Sequence, residues 1–541
     1  MSQHPSVSMT QNLLPFNYQI EKRSSDLTSF AGLPTYQELL HVTAAFRQIR
    51  RYLNIRSHEQ GFTDSQILAS LILLQLVGGD SVDDIERLRG DDGFVRVVNK
   101  ISLSGLSRKE RRRIERRWDR GQDIPAIPSV SVIRRWLNEF HNPLAERLRP
   151  ESGAFIPEAN RHLSAMQWLN CVFLRFMQKH APSTVATLDM DATLIETQKS
   201  SSLYCYKGFS AYQPLNVWWA EQQMVIHTEF RDGNVPAGYE QLRLLKESLE
   251  LLPDSVDEVR LRSDSAGYQH DLMNFCQQSG ESDRKKIVFA IAGNVTAQFK
   301  KAAMEVPDEA WHPVYLLRNK GSKYEEAVAS HQMWAEVNFV PSQVAKAPSS
   351  DIYRYIAIRE PMQSELPGSP EPELPFATYK TDNCRYKLSC TVTNIGYVPD
   401  ENEPVNDRGK VGVFSKERMW GESVIHWHRE RCGRSEQAHS IMKSDFAGGK
   451  LPSSKFGANA AWWWITMFSL NLQQIMSKLV LGGQWENRRM KAIRFHLINI
   501  PARVLEHARK LFIRVGKGCR NAFDTWIRAR ARLMELAHSP G

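Results

Sequence analysis

Two aspartates set two residues apart are the first groups in this chain that could carry out chemistry. The segment TLDMDATLIE, residues 187–196, places Asp189 and Asp191 behind an apolar run typical of a buried strand. Residues i and i+2 of a strand point to the same face, so both carboxylates project together. A buried carboxylate is costly unless it is paired or holds a metal, so this pair requires a partner.

A further aspartate ends another apolar strand. In VDEVRLRSDSAGY, Asp264 lies where the strand meets a turn, and ligand sites of open α/β sheets lie at that carboxyl edge. If the two strands are neighbours, Asp191 and Asp264 face each other and repel unless a cation lies between them. Carboxylate oxygens suit Mg²⁺ or Mn²⁺. Two such ions about 4 Å apart can hold the attacking and leaving oxygens of a phosphoryl displacement.

A third carboxylate is needed to complete such a site, and the segment RERCGRSEQAHSIMKSD offers two. On a helix, Glu436 shares one face with His439, Ser440 and Lys443, at spacings of three, four and seven residues. That face could hold a metal ion and a phosphate. Glu430, six residues earlier, is the competitor. We favour Glu436 because its face carries the lysine.

Each of these patterns is weak alone. A pair of aspartates is often a turn or an ion pair, a strand-end aspartate is often a cap, and a Glu–Lys face is often solvated. The order of the three patterns across an α/β chain is more specific than any one of them.

The elements around these residues predict an α/β sheet. From residue 184 to 293 the order is three strands, helix, strand, helix, strand, which indicates an antiparallel start and a parallel continuation. Helices precede this part, and one begins with the capping-box pair Thr63 and Gln66 and ends at Gly78. A β-rich stretch, about residues 294 to 420, follows. A Trp-rich helix and a basic amphipathic tail complete the chain.

The charge of the chain favours a polyanionic partner. Its 541 residues include 70 Lys+Arg and 60 Asp+Glu, a formal net charge of +10, and nucleic acid is the common polyanion. Residues 108–120 hold eight basic and three acidic side chains. That run is either a solvated helix face with internal ion pairs or an arm that contacts phosphates. The candidate DNA-binding residues in it are Arg108, Lys109, Arg111, Arg112, Arg113, Arg116 and Arg117.

Secretion and membrane insertion are not expected. Seven cysteines without a CxxC pair indicate reduced thiols in a cytosol. The N-terminus lacks the charged and apolar regions of a signal peptide. The most apolar stretch, AAWWWITMF, is too short to span a bilayer and is typical of a buried core helix. No membrane partner is therefore predicted.

Several segments together resemble bacterial insertion-sequence transposases of the DDE class. They are LDMDATLIETQKS, CYKGFSAYQPLN, FRDGNVPAGYEQL, LRSDSAGYQHDL, YRYIAIRE, WHRERCGRSEQAHSIMKSDFAGGKLPS and FGANAAWWWITMFSLNL. The similarity runs from about residue 60 to about residue 510. It implies an α/β fold with a ribonuclease H-like mixed sheet flanked by helices, interrupted by a β-rich insertion. A helical N-terminal DNA-binding region and a helical C-terminal tail complete that fold.

The domain boundaries follow from the same resemblance. Residues 1–180 are expected to form the helical DNA-binding region, and 181–293 the first part of the catalytic core. The β-rich insertion is expected at 294–420 and the last core helices at 421–480. A basic helical C-terminal region is expected at 481–541.

The resemblance also assigns roles to the acidic residues. The family's Asp-x-Thr motif matches Asp191-Ala192-Thr193, so Asp191 is the first catalytic aspartate. Asp264 is the second, and Glu436 is the glutamate. All three are expected to hold metal. Asp189 either supports Asp191, is a lesser metal ligand, or is paired with a nearby arginine.

A family signature of Tyr, Arg, Glu and Lys surrounds the glutamate. It matches His428, Arg431, Glu436 and Lys443, separated by two, four and six residues. The family has separations of two, three and six, so histidine replaces tyrosine and one extra residue precedes the glutamate. Lys443 is expected to be catalytic and to bind DNA, Arg431 to bind DNA, and His428 to support the site.

The implied function is DNA transposition. Such an enzyme binds the terminal inverted repeats of its element, cleaves the ends by metal-dependent hydrolysis and joins them to target DNA. Its cofactor is Mg²⁺, for which Mn²⁺ can substitute, with two ions per site. Its partners are the element ends, the target DNA and at least one further copy of the chain, as a homodimer or higher oligomer. The expected location is the bacterial cytoplasm, in association with the nucleoid.

Three alternatives remain open. The first is a sequence-specific DNA-binding regulator whose acidic cluster is only structural. The second is a ribonuclease H-fold nuclease that cuts DNA without joining it. The third is a degenerate transposase that binds the element ends without cleaving them.

Overall fold

A large mixed sheet forms the centre of the protein. The computed structural model describes residues 26–56, 61–103, 108–109, 112, 126–279, 287–318, 326–341, 353–362, 374–381, 384–397, 418–508 and 510–538. The first part of the sheet contains β2 (Val185–Ala192), β6 (Leu215–Trp219), β7 (Met224–Glu229), β8 (Glu258–Ser263) and β9 (Val288–Gly293). Short strands β3 (Ile195–Glu196), β4 (Leu203–Tyr204) and β5 (Ser210–Tyr212) form a separate three-stranded sheet.

The strand order confirms the predicted fold class. The five strands lie in the order β7-β6-β2-β8-β9. Strands β7, β6 and β2 pair antiparallel, whereas β2, β8 and β9 pair parallel. This is the antiparallel start and parallel continuation that the sequence predicts, and it is the ribonuclease H-like arrangement that the resemblance implies. The central strand β2 is mostly buried, in agreement with its apolar sequence.

The β-rich stretch extends the same sheet. Strand β9 pairs antiparallel with β14 (Arg385–Thr393), and the sheet continues through β12 (Arg354–Pro361) and β11 (Glu326–Val337) to β10 (His312–Arg318). Strand β13 (Thr378–Lys380) pairs antiparallel with the start of β14, on the edge of β14 where β9 pairs with its end. Residues 396–397 and 418–419 form a two-stranded parallel ladder, β15 with β16. The five strands β7-β6-β2-β8-β9 and the β-rich stretch thus share one ten-stranded sheet.

Helices precede and cover the sheet. Before it come α1 (Leu33–Val42), α2 (Ala45–Tyr52), α3 (Asp64–Val77), α4 (Ile85–Arg89), α5 (Asp92–Leu103), α6 (Val130–Asn138), α7 (Pro143–Arg147) and α8 (Arg161–His180). Helix α3 begins with the predicted capping box, because Thr63 and Gln66 each accept a hydrogen bond from the other's backbone N–H. Gly78 ends it with φ +96°, a left-handed conformation that glycine adopts without strain.

The remaining helices complete the core. They are α9 (Gln241–Leu251), α10 (His270–Gln278), α11 (Ala297–Met304), α12 (Gly421–Ser440), α13 (Phe456–Ile475), α14 (Met490–Ile493) and α15 (Arg520–His538). The Trp-rich α13 is almost completely buried and packs against α3, α6 and α8. One hydrophobic cluster runs from the N-terminal helices through α13 into the sheet.

Helix α12 begins against the β-rich stretch. The rings of Trp334 on β11 and Trp420 lie edge to face, 4.7 Å apart. A Cβ atom at Gly421 would collide with Trp334, so the start of α12 approaches β11 as closely as a glycine permits. The β-rich stretch therefore positions the helix that carries the predicted glutamate.

The C-terminal region, which was expected to be helical, also contains a β-hairpin. Strands β17 (Ala502–His507) and β18 (Lys510–Val515) pair antiparallel, and β17 also pairs with β1 (Leu27–Thr28). Helix α15 follows and packs against α1. The two ends of the described chain are thus joined by a three-stranded sheet.

Two further properties concern the described residues alone. Six of the seven cysteines are described, and these six are free thiols. No single described helix is long and apolar enough to cross a membrane, although the pair Asp64–Val77 and Val82–Arg89, bent by 96°, reaches that length and composition together.

Candidate active site

The two predicted aspartates lie at the carboxyl ends of neighbouring parallel strands. The ladder between β2 and β8 ends with Met190 opposite Ser263, and Asp191 and Asp264 are the next residues of the two strands. One step earlier, Asp189 lies opposite Arg262, and their side chains meet. Because residues i and i+2 share a face, Asp191 and Asp264 lie on the same face of the sheet as that pair.

Asp189 is paired with an arginine. The guanidinium of Arg262 donates from Nε to Oδ1 at 2.6 Å and from Nη2 to Oδ2 at 2.9 Å, and both side chains are buried. Burial disfavours the charged form of Arg262, but the carboxylates of Asp189 and Glu430 outweigh it and raise the pKa of the guanidinium. Three roles were left open for Asp189, and these contacts correspond to the third, pairing with a nearby arginine.

The same arginine attaches α12 to the sheet. Its Nη1 donates to the carbonyl oxygen of Trp427 at 2.8 Å and to Oε2 of Glu430 at 3.1 Å. One residue further, His428 donates from Nε2 to the carbonyl oxygen of Ser263 at 2.9 Å. Glu430, the competitor for the third carboxylate, is thus occupied by Arg262. His428 binds the backbone directly before Asp264 and supports the end of β8.

Asp191 lies beneath the next turns of α12. Its Oδ2 is 3.3 Å from Nη1 of Arg431 and 3.8 Å from Nδ1 of His439. Glu436 belongs to the helical stretch between these two residues. The side chain of Glu436 lies outside the described part of the structure. Its place in the site stays a prediction.

A chain of hydrogen bonds behind the site fixes the orientation of His439. Trp463 Nε1 donates to Thr228 Oγ1 at 2.9 Å, and Thr228 donates to Asn216 Oδ1 at 2.6 Å. The Asn216 amide therefore presents its NH₂ group, 3.1 Å from Nε2 of His439. Since Nε2 accepts this bond, the ring proton is on Nδ1, which faces Asp191. Burial, with Lys443 and Arg431 nearby, lowers the pKa of His439 to about 3, so the ring is neutral at neutral pH.

Asn216, Thr228 and Trp463 were not predicted from the sequence as part of the site. Asn216 is the one polar residue in the strand LNVWW, and it lies opposite Asp191 in the ladder between β2 and β6. A buried amide needs hydrogen-bond partners, so an asparagine within an apolar strand was the available signal. The distant partners Thr228 and Trp463 gave none.

Lys443 lies at the same edge. It follows α12 in a single π-helical turn, Ile441–Asp445, a feature that recurs at functional sites and has no simple sequence signal. Its Nζ donates to the carbonyl oxygen of Leu194 at 3.4 Å, three residues beyond Asp191. Burial and the charge of Lys207 lower the pKa of Lys443, and Asp191 opposes this effect.

The donors at this edge fit a divalent cation. Asp191 and Asp264 offer hard oxygen ligands from adjacent strand ends. Asp264 caps the 3₁₀ turn Ser265–Gly267 through one oxygen, Oδ1, which accepts from the N–H of Ala266 at 3.0 Å. Groups of three or more possible ligands are absent from the described side chains, which do not include that of Glu436. The guanidinium of Arg431 lies on Asp191, where it balances part of the negative charge.

The predicted DNA-binding residues are described in part. Arg108, Lys109 and Arg112 are exposed. Arg111, Arg113, Arg116 and Arg117 lie outside the described residues. Arg431 contacts Asp191.

Part of the basic C-terminal region serves the fold. Arg494 donates to the carbonyl oxygens of Leu76 and Gln75 at 2.8 and 3.0 Å, and so caps the end of α3. Arg530 pairs with Glu38 on α1 at 2.7 Å.

We predict that Asp189→Ala lowers the free energy of unfolding by about 3–5 kcal/mol, because it leaves Arg262 buried without its main counter-charge. The double variant Asp189→Leu/Arg262→Met should recover most of that loss, since it removes both charges together. Urea denaturation measures both. As a control, Arg89→Met breaks a surface pair with Glu86 and should cost less than about 1 kcal/mol. An Asp189→Ala protein as stable as the wild type would refute the role of this pair.

The second prediction concerns acid sensitivity. Burial lowers the pKa of His428 from 6.5 to about 4, so unfolding takes up a proton between these values, and stability falls as the pH drops from about 6.5 to 4. His428→Gln keeps a donor for Ser263 but does not titrate. The loss of unfolding free energy between pH 7.5 and pH 5, in EDTA, should therefore be about 2 kcal/mol smaller in the variant.

The control for this measurement is His331→Gln, which removes an exposed imidazole on β11. It should follow the wild type at both pH values. Equal acid sensitivity of His428→Gln and the wild type would show that His428 is not the group responsible.

Comparison with known proteins bears on the identity of the chain. Residues 17–358, more than half of the chain, match the family described as Transposase DDE domain group 1. The match includes Asp191 and Asp264 and ends before Glu436. The comparison with curated protein sequences gives no match.

Among solved structures, the chain is similar to a piggyBac transposase in a synaptic complex with hairpin DNA, determined by cryo-electron microscopy. The identity is 11%, the TM-score is 0.35, and the alignment covers 86% of this chain and 79% of the other. The assignment rests on the family match, and by that match the chain belongs to the DDE-domain transposases of group 1.

Proposed function

We propose that this transposase binds the terminal inverted repeats of its element, cleaves the DNA ends by metal-dependent hydrolysis and joins them to target DNA. The observation that carries the proposal is the position of Asp191 and Asp264. They end two adjacent parallel strands on the face that α12, the helix bearing Glu436, covers. DDE transposases as a family use divalent metal ions and carry out polynucleotidyl transfer.

Three residues would hold the metal. Asp191, Asp264 and Glu436 supply carboxylates suited to two Mg²⁺ ions, with Mn²⁺ as a substitute. When bound, the ions stabilise negative charge that develops on the phosphate. A cation on Asp191 would replace the charge that Arg431 now supplies, so Arg431 becomes available to contact DNA.

The reaction is balanced without an external energy source. In cleavage, the oxygen of a water molecule bonds to phosphorus, the P–O bond to the 3′-oxygen breaks, and that oxygen takes a proton. In joining, the freed 3′-hydroxyl attacks a phosphodiester of the target, so one P–O bond replaces another. The protein supplies positioning and charge stabilisation. Lys443, held half-buried next to Leu194, is suited to fix a phosphate oxygen near Asp191.

DNA binding would use the basic surface. The net charge of +10 and the exposed Arg108, Lys109 and Arg112 are suited to phosphates. Phosphate contacts hold the DNA, and base contacts select its sequence. Two copies of the chain would bring the two element ends together.

We predict that purified protein with Mg²⁺ cleaves a fragment bearing the element's ends and joins it to a target plasmid. Asp191→Asn, Asp264→Asn and Glu436→Gln should each bind the fragment but give no detectable cleavage, because each removes a metal ligand. Gel analysis of end-labelled DNA separates binding, nicking and joined product. Asp254→Asn, an exposed aspartate before β8, is the matched control and should cleave like the wild type.

Each other outcome favours a different function. Cleaved ends without joined product indicate a nuclease. Wild-type binding without metal-dependent cleavage indicates a regulator or a degenerate transposase. Cleavage by Asp191→Asn at the wild-type rate would show that the catalytic site lies elsewhere.

A further inference from the structure

Two highly exposed tyrosines lie on a hairpin beside the candidate active site. The hairpin consists of β4, β5 and the turn between them. Tyr204 is 71% exposed and Tyr206 is 76% exposed, whereas Cys205 between them is buried at 5%. Both rings therefore extend from the outer side of the hairpin. Tyrosine is on average a partly buried residue, and two neighbouring aromatic rings this exposed form the kind of apolar surface that marks interaction sites.

The hairpin holds these rings in a defined place. The N–H of Cys205 donates to the carbonyl oxygen of Phe209 at 2.9 Å, and the N–H of Gly208 donates to that of Cys205. Gly208 has φ +82°, which closes the turn. A Cβ atom at Gly233 would collide with the backbone of β4 and β5, so the hairpin packs tightly on the loop after β7.

A positive charge accompanies the rings. The ammonium group of Lys207 lies 5.8 Å from the centre of the Tyr206 ring, and Lys207 is exposed. Two aromatic faces with an adjacent lysine are the combination that binds single-stranded nucleic acid, because bases stack on the rings and the lysine attracts the phosphates.

The hairpin begins at the catalytic edge. After Asp191 the chain runs through Leu194, whose carbonyl oxygen binds Lys443, into β3. Strand β3 pairs with β5 through Ile195 and Tyr212. Lys207 is also close enough to Lys443 for its positive charge to lower the pKa of Lys443. A DNA strand with its phosphate at Asp191 and Lys443 would therefore pass the hairpin.

We propose that Tyr204, Tyr206 and Lys207 form a stacking platform for unpaired nucleotides of the DNA strand next to the cleaved phosphate. This proposal rests on the proposed function and adds that the bases beside the cleavage point are unpaired, since paired bases inside a duplex do not expose their faces. Nucleotides beside the cleavage point would leave the duplex and stack on the two rings, while Lys207 contacts their backbone.

The test measures binding of a labelled twelve-residue oligothymidylate and of a twelve-base-pair duplex to the full-length chain by fluorescence anisotropy. Tyr204→Ala, Tyr206→Ala and Tyr206→Leu should each weaken single-strand binding by roughly 5-fold to 100-fold, and leave duplex binding unchanged. Tyr206→Trp keeps an aromatic face and should bind like the wild type. Circular dichroism and the melting temperature confirm that each variant is folded.

Salt dependence separates stacking from charge. The tyrosine variants should keep the wild-type slope of log affinity against log salt, because they remove no phosphate contact. Lys207→Gln should reduce the magnitude of that slope by about 0.7 for the single strand. Cross-linking with 5-iodouracil in the oligonucleotide should label the peptide that contains residues 204–207.

Several results would overturn the platform. One is a double variant Tyr204→Ala/Tyr206→Ala that binds the single strand with wild-type affinity. Another is a loss of duplex affinity as large as the loss of single-strand affinity. A third is cross-linking only to peptides outside residues 204–207. A change in sedimentation without a change in oligonucleotide binding would assign the tyrosines to contact with a second copy of the chain. The assay needs neither metal nor cleavage, so an inactive wild type would refute the proposed function without deciding this test.

Discussion

A buried ion pair between two parallel strands determines where the candidate site lies. Asp189 and Arg262 occupy opposite positions of β2 and β8, and two residues later the same strands present Asp191 and Asp264. Arg262 also binds Trp427 and Glu430. One guanidinium thus fixes the strand register at the edge that carries the candidate site, and the position of α12. A buried pair of this kind adds little net stability over an apolar pair, so its value here lies in the placement of these elements.

The charges at the edge follow from that placement. Asp191 and Asp264 end adjacent strands, where two carboxylates repel each other. In the structure, Arg431 and a neutral His439 face Asp191. The chain Trp463–Thr228–Asn216 keeps the Nδ1 proton of His439 toward the carboxylate. Arg431 therefore partly neutralises Asp191 in this structure, and a metal ion bound to Asp191 would compete with that guanidinium.

The sequence predicts local elements and their order better than it predicts their partners. Apolar alternation and helix caps such as Thr63 are local patterns that involve only a few consecutive residues. The strands around Asp191 and Asp264 were therefore recognisable in the sequence, and their predicted parallel order is confirmed. The pairing of Asp189 with Arg262 joins residues 73 positions apart, and nothing local distinguishes it from a metal ligand. The hairpin β17–β18 and its pairing with β1 depend on contacts between the two ends of the chain. Catalytic roles for Asp191, Asp264 and Glu436 stay predictions, because position alone does not establish chemistry.

The strand β2 links the metal-binding and the DNA-binding proposals. Its end provides Asp191, and the residues directly after it provide the oxygen of Leu194 that holds Lys443. The chain then enters the small sheet that carries Tyr204 and Tyr206. Movement of β2 relative to β8 would displace the carboxylate, the lysine and the stacking surface together. The pair Asp189–Arg262, which joins those two strands, therefore holds Asp191, Lys443 and the proposed stacking surface together in one position relative to Asp264 at the end of β8.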